Sequence, residues 1–232
     1  MHPLYRTMIL PRLKAGQSLL DLGSCLGQDI RKCIFDGAPA DNLYASDLFP
    51  EYEQLAFDFF NDADRLPRGH FLAEDILADN DSFSYGPLMS ALGPGQTDII
   101  AITMFLHVFN YANQLRVATR ILRLLSHQPG SLVVGSQAGA ASAGEIDLKP
   151  PFAANKKGEK RTVYRHSPQT FERLWQQAGR AAGVPLRVSA VFQSPAAFTK
   201  GVIKSSENVS GKKGKSIPWQ DTRRLYFSIM RS

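Results

Sequence analysis

The chain has 232 residues with 44% hydrophobic content, so it can bury one substantial core, and its longest apolar runs are too short to span a bilayer. Met1-His2-Pro3 does not open a signal peptide, and two cysteines cannot form a disulfide framework, so a reduced, cytoplasmic protein is expected. The net charge is +6, but the lysines cluster in two loop-like stretches (149–160 and 200–215) without interleaved aromatic side chains, which argues against nucleic-acid binding.

Residues 19–34 predict a strand, a glycine loop and a helix. The apolar run ends at Asp21, the loop carries Gly23 and Gly27, and the helix places Ile30 and Cys33 on one face. Glycines let such a loop turn tightly and let a ligand approach the backbone. The spacing differs from the G-x-G-x-x-G of dinucleotide-binding proteins, and no G-K-[ST] follows, so NAD and a P-loop are disfavoured.

The acid before the loop favours S-adenosylmethionine (SAM) as the ligand. Asp21 would repel a pyrophosphate but can accept hydrogen bonds from the ammonium group of an amino acid, and SAM has no phosphate. Asp21-x-Gly23-x-x-x-Gly27 matches the first motif of class I SAM-dependent methyltransferases, with Cys25 where a central glycine often lies. An ordinary glycine turn in an unrelated α/β protein is the alternative.

Further strands carry the rest of the predicted cofactor site. The second strand, residues 42–48, ends in Asp47, whose distance from the loop suits a carboxylate that binds both ribose hydroxyls; a helix N-cap or a solvated loop acid is the alternative. Asp75 follows a third element (residues 70–77) and lies where methyltransferases commonly bind the adenine amino group. The fourth strand, residues 98–105, is β-branched and nearly continuous, as in a strand buried on both faces. The predicted cofactor-binding residues are Asp21, Gly23, Ser24, Cys25, Gly27, Gln28, Asp47, Leu48, Asp75, Ile76 and Thr103, with no metal ligand.

The carboxyl-terminal half predicts a loop, a helix and an antiparallel pair. A fifth strand covers residues 132–135, and residues 138–165 have no clear period and are interpreted as a mobile substrate loop at the ligand edge. Ser167 and Pro168 open a helix as N-cap and first-turn residue. Residues 186–192 and 224–230 alternate as an antiparallel pair, joined by a flexible basic connection (194–222).

The chain resembles the small-molecule methyltransferases of fungal secondary metabolism, including those of meroterpenoid (terpenoid) pathways. The matching stretches are residues 2–5, 20–31, 36–39, 105–109, 130–135 and 166–168. This resemblance implies one Rossmann-like domain over residues 1–232. Its seven-stranded sheet would be mostly parallel, with a terminal antiparallel hairpin and helices on both faces. It also implies SAM as methyl donor and a carboxyl or hydroxyl acceptor on a lipophilic natural product.

The catalytic group and the assembly are the least determined by the sequence. His107 follows the fourth strand and is the first candidate for a general base, with a packed, structural histidine as the equal alternative; His166 is a weaker candidate. A fold retained for a cyclisation, a rearrangement or binding alone is the alternative function. Relatives usually carry an N-terminal helical cap, so its expected absence, together with an acidic first half and a basic second half, predicts an open substrate mouth or a homo-oligomer.

Overall fold

The computed structural model describes residues 2–154, 158–193 and 222–232. A π-helical turn (Tyr5–Ile9) leads into the first helix, and a 3-10 turn (Leu106–Val108) follows the fourth strand. The helices are α1 (Leu10–Lys14), α2 (Gln28–Phe35), α3 (Glu51–Phe60), α4 (Asn80–Ser84), α5 (Pro87–Leu92), α6 (Tyr111–Leu124) and α7 (Pro168–Ala182). The strands are β1 (Leu19–Leu22), β2 (Leu43–Asp47), β3 (Phe71–Ala73), β4 (Ile99–Thr103), β5 (Leu132–Ala140), β6 (Gly144–Asp147), β7 (Thr162–Arg165), β8 (Leu186–Phe192) and β9 (Thr222–Arg231).

The main sheet has seven strands in the order β3-β2-β1-β4-β5-β9-β8. The first five pair in parallel, and β9 is antiparallel to both β5 and β8. This confirms the predicted fold class, a mostly parallel Rossmann-like sheet with a terminal antiparallel pair. The parallel topology brings the carboxyl ends of β1, β2 and β4 to one edge of the sheet, where ligands bind in open α/β folds.

Two apolar cores cover the two faces of the sheet, as the continuous apolar strands predict. Alternate residues of β1 divide between them: Leu19 packs with the N-terminal helices, α2 and α3, while Leu20 and Leu22 pack with the helices from α4 to α7. Asp21 lies between Leu20 and Leu22 along the strand, so its side chain points to the same face as Leu19.

Helix signals in the sequence are confirmed at both ends of the chain. The α2 helix starts after Gly27, which has a left-handed φ of 66°, and it buries Ile30 and Cys33. The α7 helix has Ser167 as N-cap, with a capping box to Thr170, and Pro168 in the first turn. The Ser167 cap satisfies a backbone N–H group that has no partner inside α7.

The predicted substrate loop has more regular structure than its sequence suggested. Residues 138–140 continue β5 and pair with β9, and β6 and β7 form a separate antiparallel hairpin. The prediction of an aperiodic loop over residues 138–165 was therefore wrong for these three stretches. The predicted basic connection lies outside the described residues, except Thr222, which begins β9.

Within the described ranges, none of the helices combines the length and the apolar character that a bilayer crossing requires.

Candidate active site

An open cavity of about 420 Å³ lies at the carboxyl edge of the sheet. Five of the predicted cofactor residues line it: Gly23, Asp47, Leu48, Asp75 and Ile76. They come from the ends of three strands that are neighbours in the sheet, so the topology brings together residues more than fifty positions apart.

Backbone hydrogen bonds hold the glycine loop against the end of β2. The N–H groups of Gly23 and Ser24 both donate to the Ser46 carbonyl, at 2.8 and 3.0 Å. The Asp47 carboxylate accepts from the Cys25 N–H at 2.9 Å and from the Leu48 N–H at 2.7 Å. These hydrogen bonds fix the shape of the loop, and Asp47 is its anchor.

Three residues of the loop have left-handed backbone, with φ of 76° at Gly23, 53° at Cys25 and 66° at Gly27. Glycine adopts this region freely, whereas Cys25 does so against its Cβ. Space also requires glycine at two of the positions. A Cβ on Gly23 would overlap the Phe105 ring, and a Cβ on Gly27 would lie 2.7 Å from the Phe71 ring.

Asp21 faces a second, smaller cavity that backs onto the first. Asp21, Asp29 and Thr103 line this space of about 30 Å³. Burial raises the pKa of Asp21 to about 8, with further increases from the charges of Asp29 and Asp47. The carboxyl group accepts no hydrogen bond from the residues that the structure describes, which marks it as a group that lacks its partner.

Asp75 and Ile76 form the far end of the larger cavity. Asp75 is exposed and accepts from the Leu77 N–H at 2.8 Å, while Ile76 is 5% exposed. The structure does not bring every predicted residue to the two cavities. Gln28 faces an outer groove beside Arg31, and Ser24 and Gly27 line neither cavity.

Comparisons with known proteins agree with this arrangement. The chain is 32% identical over 232 residues to the O-methyltransferase atr3 of Stereocaulon alpinum, and the match covers 100% of this chain and 58% of that protein. It is 36% identical over 186 residues to the methyltransferase trt5 of Aspergillus terreus, and the match covers 80% of this chain and 61% of that protein. The chain thus spans about three fifths of the length of these curated relatives. No family model matches it.

Solved structures agree on the fold. An S-adenosylmethionine-dependent methyltransferase from Mesorhizobium loti superposes with a TM-score of 0.58 at 16% identity, covering 96% of both chains. The 1,6-didemethyltoxoflavin-N1-methyltransferase of Burkholderia thailandensis, solved with S-adenosylhomocysteine, has a TM-score of 0.52 at 17% identity and covers 96% of this chain. This is the SAM-dependent methyltransferase fold. The sequence relatives are the methyltransferases of fungal secondary metabolism that the chain resembles.

In this methyltransferase fold, His107 lies in the 3-10 turn between the lining residues Phe105 and Val108, but its own side chain does not line the larger cavity. Burial and the nearby Arg165 lower its pKa to about 4, so the imidazole is neutral at pH 7. Its Nδ1 is buried and has no hydrogen-bond partner in the described ranges. The Arg165 guanidinium donates to the His107 carbonyl and ties the turn to β7.

His166 is placed away from the cavity, in the core where β7 meets α7. It is 0% exposed and its ring packs against Tyr164 and Phe171. Its Nδ1 pairs with the Thr170 hydroxyl at 3.0 Å, and burial lowers its pKa to about 4. These contacts favour a structural histidine over the weaker catalytic prediction, because the ring is fully buried and lines neither cavity.

Several lining residues had no signal in the sequence. Met104 directly follows β4 and has a left-handed φ of 55°, and its N–H donates to the Ser136 carbonyl. Strained backbone of this kind clusters at functional sites. Arg161 reaches the cavity from the start of β7. The sequence could have indicated this position of Arg161 only if the β6–β7 hairpin had been predicted.

Proposed function

We propose that this chain binds SAM in the larger cavity and transfers the methyl group to a carboxyl or hydroxyl oxygen of a lipophilic small molecule. The observation that carries the proposal is the convergence of Gly23, Asp47, Asp75 and Ile76 on one cavity at the ligand edge of a methyltransferase fold. The fungal relatives, among them an O-methyltransferase, support the reaction class and its place in natural-product biosynthesis.

The residues present fit SAM. Each Asp47 oxygen accepts only one N–H group, so each retains a lone pair for a ribose hydroxyl. Leu48 and Ile76 provide apolar walls for adenine, and Asp75 provides an acceptor for its amino group. Asp21, buried and without a partner, suits the ammonium group, because a cation would stabilise its charged form.

The rim of the cavity supports a lipophilic acceptor. Leu48, Phe49, Met104 and Val108 are large apolar side chains that are 44% to 53% exposed around the opening. Such a cluster favours apolar ligands over solvated polar ones. We propose a small molecule, not a nucleic acid, as the partner.

The electrostatics favour a carboxylate over a hydroxyl as the acceptor. When bound, SAM supplies a methyl group already activated on a sulfonium, so the chain chiefly has to align the acceptor. A hydroxyl needs a base, and His107, with a pKa near 4, would draw a proton from it weakly. A carboxylate needs none, and the Arg161 guanidinium on the cavity wall would attract it.

Isotope transfer tests the proposal. The protein is incubated with methyl-deuterated SAM and a panel of aromatic and terpenoid carboxylic acids and phenols, and mass spectrometry looks for the deuterated methyl group. We expect label on a carboxylic acid with wild-type protein and its loss in Asp47→Ala. His127→Ala is the control, because His127 is exposed on the loop that precedes β5. Wild-type protein that binds neither SAM nor S-adenosylhomocysteine in calorimetric titration would contradict the proposal.

A further inference from the structure

The smaller cavity is roofed by the N-terminal segment, defined here as residues 2–14. His2, Tyr5 and Ile9 of the segment line it opposite Asp21, Asp29 and Thr103. Its volume of about 30 Å³ is enough for about two water-sized groups. Asp21 and Thr103 line this cavity, while their chain neighbours Leu22 and Met104 line the larger one. The two spaces therefore back onto each other across the ends of β1 and β4.

The N-terminal segment is anchored to the domain. The Tyr5 hydroxyl donates to the Asp36 carboxylate at 2.7 Å, and Ile9 and Leu13 are 4% and 0% exposed in the core beside α2. The His2 ring packs edge-on against Tyr226 of β9, with ring centroids 5.7 Å apart. The wall of the small cavity is thus a fixed part of the fold.

His2 carries a hydrogen-bond donor that lacks an acceptor. Its Nδ1 accepts from the Leu4 N–H at 3.2 Å, which leaves the ring proton of the neutral form on Nε2. Nε2 is buried and has no hydrogen-bond partner among the described residues. Burial lowers the pKa of His2 to about 4, so the ring is neutral at pH 7. The nearby Phe227 backbone carbonyl partly offsets this shift, but Nε2 does not meet it at hydrogen-bond geometry.

A zwitterion would satisfy the unpaired groups of this cavity together. Asp21 offers a carboxylate to an ammonium group, and His2 offers an N–H to a carboxylate. The Tyr5 hydroxyl is already engaged with Asp36, so it is not a free donor. Buried polar atoms without partners are rare in folded proteins, and His2 Nε2 is one of them, on the same small cavity as the buried Asp21.

We propose that the N-terminal segment completes the cofactor site, with the His2 Nε2–H donating to the carboxylate of the amino-acid end while Asp21 faces its ammonium group. This assignment rests on the proposed SAM binding. It makes His2 a binding residue that is remote in sequence from the glycine loop. It also divides the ligand between the cavities, with the adenosine in the larger and the amino-acid end in the smaller.

Calorimetric titration with two probes tests the assignment. S-adenosylhomocysteine carries the amino-acid end, and methylthioadenosine keeps the adenosine and sulfur but lacks that end. We expect His2→Ala to weaken S-adenosylhomocysteine binding about tenfold or more and to leave methylthioadenosine unchanged, as befits the loss of a hydrogen bond to a charged group. His2→Gln, which keeps an N–H donor, should restore much of the affinity. Asp47→Ala should weaken both probes.

His127→Ala is the matched control, and thermal unfolding verifies that each variant folds. Equal effects of His2→Ala on the two probes, or no effect on either, would overturn the role of His2 while leaving SAM binding intact. Wild-type protein that binds neither probe would overturn the proposed function, and this assignment with it. The two failures are therefore distinguishable.

Discussion

Asp47 anchors the glycine loop through its carboxylate, which is the same group proposed to bind ribose. Asp47→Ala removes both hydrogen bonds to the hydroxyls, so we expect SAM affinity to fall by about 1.5–3 kcal/mol. Calorimetric titration measures the loss. Asp47→Asn is the matched variant, because it keeps one carbonyl oxygen and the shape of the side chain, and it should lose less. Unchanged affinity in a folded Asp47→Ala protein would refute the ribose assignment.

Cys25 occupies left-handed backbone that glycine adopts without strain. We expect Cys25→Gly to leave the free energy of unfolding unchanged or to raise it by about 0.5–1 kcal/mol, because the strain of the Cβ is removed. Cys25→Ala keeps the Cβ and should not gain. Urea denaturation of the two variants makes the comparison, and a clear loss of stability in Cys25→Gly alone would mean that the thiol itself stabilises the loop.

The predicted site residues that line the two cavities are those fixed by backbone geometry at or near strand ends. Asp21, Gly23, Asp47 and Asp75 follow from where each parallel strand stops, which short motifs encode. Gln28 lines the outer groove instead, because its direction depends on the rotation of α2, and that rotation is set by how Ile30 and Cys33 pack. Arg161 was missed because a hairpin not seen in the sequence brings it to the cavity.

At the scale of elements, the N-cap of α7 offers a clean test. The Ser167 hydroxyl accepts from the Thr170 N–H, and its loss would leave that donor without a partner. We expect Ser167→Ala to lower the free energy of unfolding by about 1 kcal/mol. Gln169→Ala is the control in the same urea titration, because Gln169 lies in the first turn of α7 and its side chain is exposed. Equal stability of the two variants would show that the cap contributes nothing.

Helices such as α7 could be predicted because their apolar residues repeat at helical spacing over several turns. Buried strands such as β4 could be predicted because they are almost wholly apolar. The β6–β7 hairpin could not, because each strand has only four residues and the intervening stretch carries no tight-turn signal. Tertiary contacts stabilise it instead. The Glu145 carboxylate accepts from the Tyr111 N–H at 2.9 Å, and the Tyr164 N–H donates to the Phe109 carbonyl at 2.9 Å.

The stability of the whole molecule should pass through a maximum near neutral pH. His2, His107 and His166 have pKa values lowered from 6.5 to about 4, chiefly by burial. The unfolded chain therefore binds more protons below about pH 6.5, and stability falls as the pH drops toward 4. Asp21 acts in the opposite sense. Its pKa is raised from 3.8 to about 8, so the folded state keeps a proton that the unfolded state has lost, and stability falls as the pH rises toward 8.

Thermal unfolding between pH 5 and 8.5 locates this maximum, which we expect between about pH 6 and 7 from those opposing shifts. Asp21→Asn is the matched variant, because it removes the titrating group and keeps its shape. Because Asp21 opposes the histidines at every pH between about 4 and 8, the variant should lose the decline above pH 7 and show a steeper rise in stability on the acid side. A curve that rises steadily to pH 8.5 in the wild type would contradict the burial of Asp21 as an acid.

Self-association of the whole molecule remains a prediction. Acids outnumber bases in residues 1–110 and bases outnumber acids in residues 111–232, and Phe35 and Phe59 are 83% and 73% exposed on α2 and α3. Contact between an acidic and a basic face would weaken with salt. We expect light scattering to show an oligomer at low ionic strength that dissociates as salt is added. A monomer of constant mass at every salt concentration would contradict this.

The strand that comes last in the chain lies inside the sheet. Because β9 separates β5 from β8, neither neighbour can complete its hydrogen bonds until Thr222–Arg231 has been synthesised. Translation adds about 5–20 residues per second, so the stretch between β8 and β9 takes a few seconds to emerge. Throughout that interval the nascent chain presents the open edge of β5, the kind of edge that recruits other strands. Every round of synthesis therefore includes an interval of a few seconds in which β5 still lacks the partner strand that completes its hydrogen bonds.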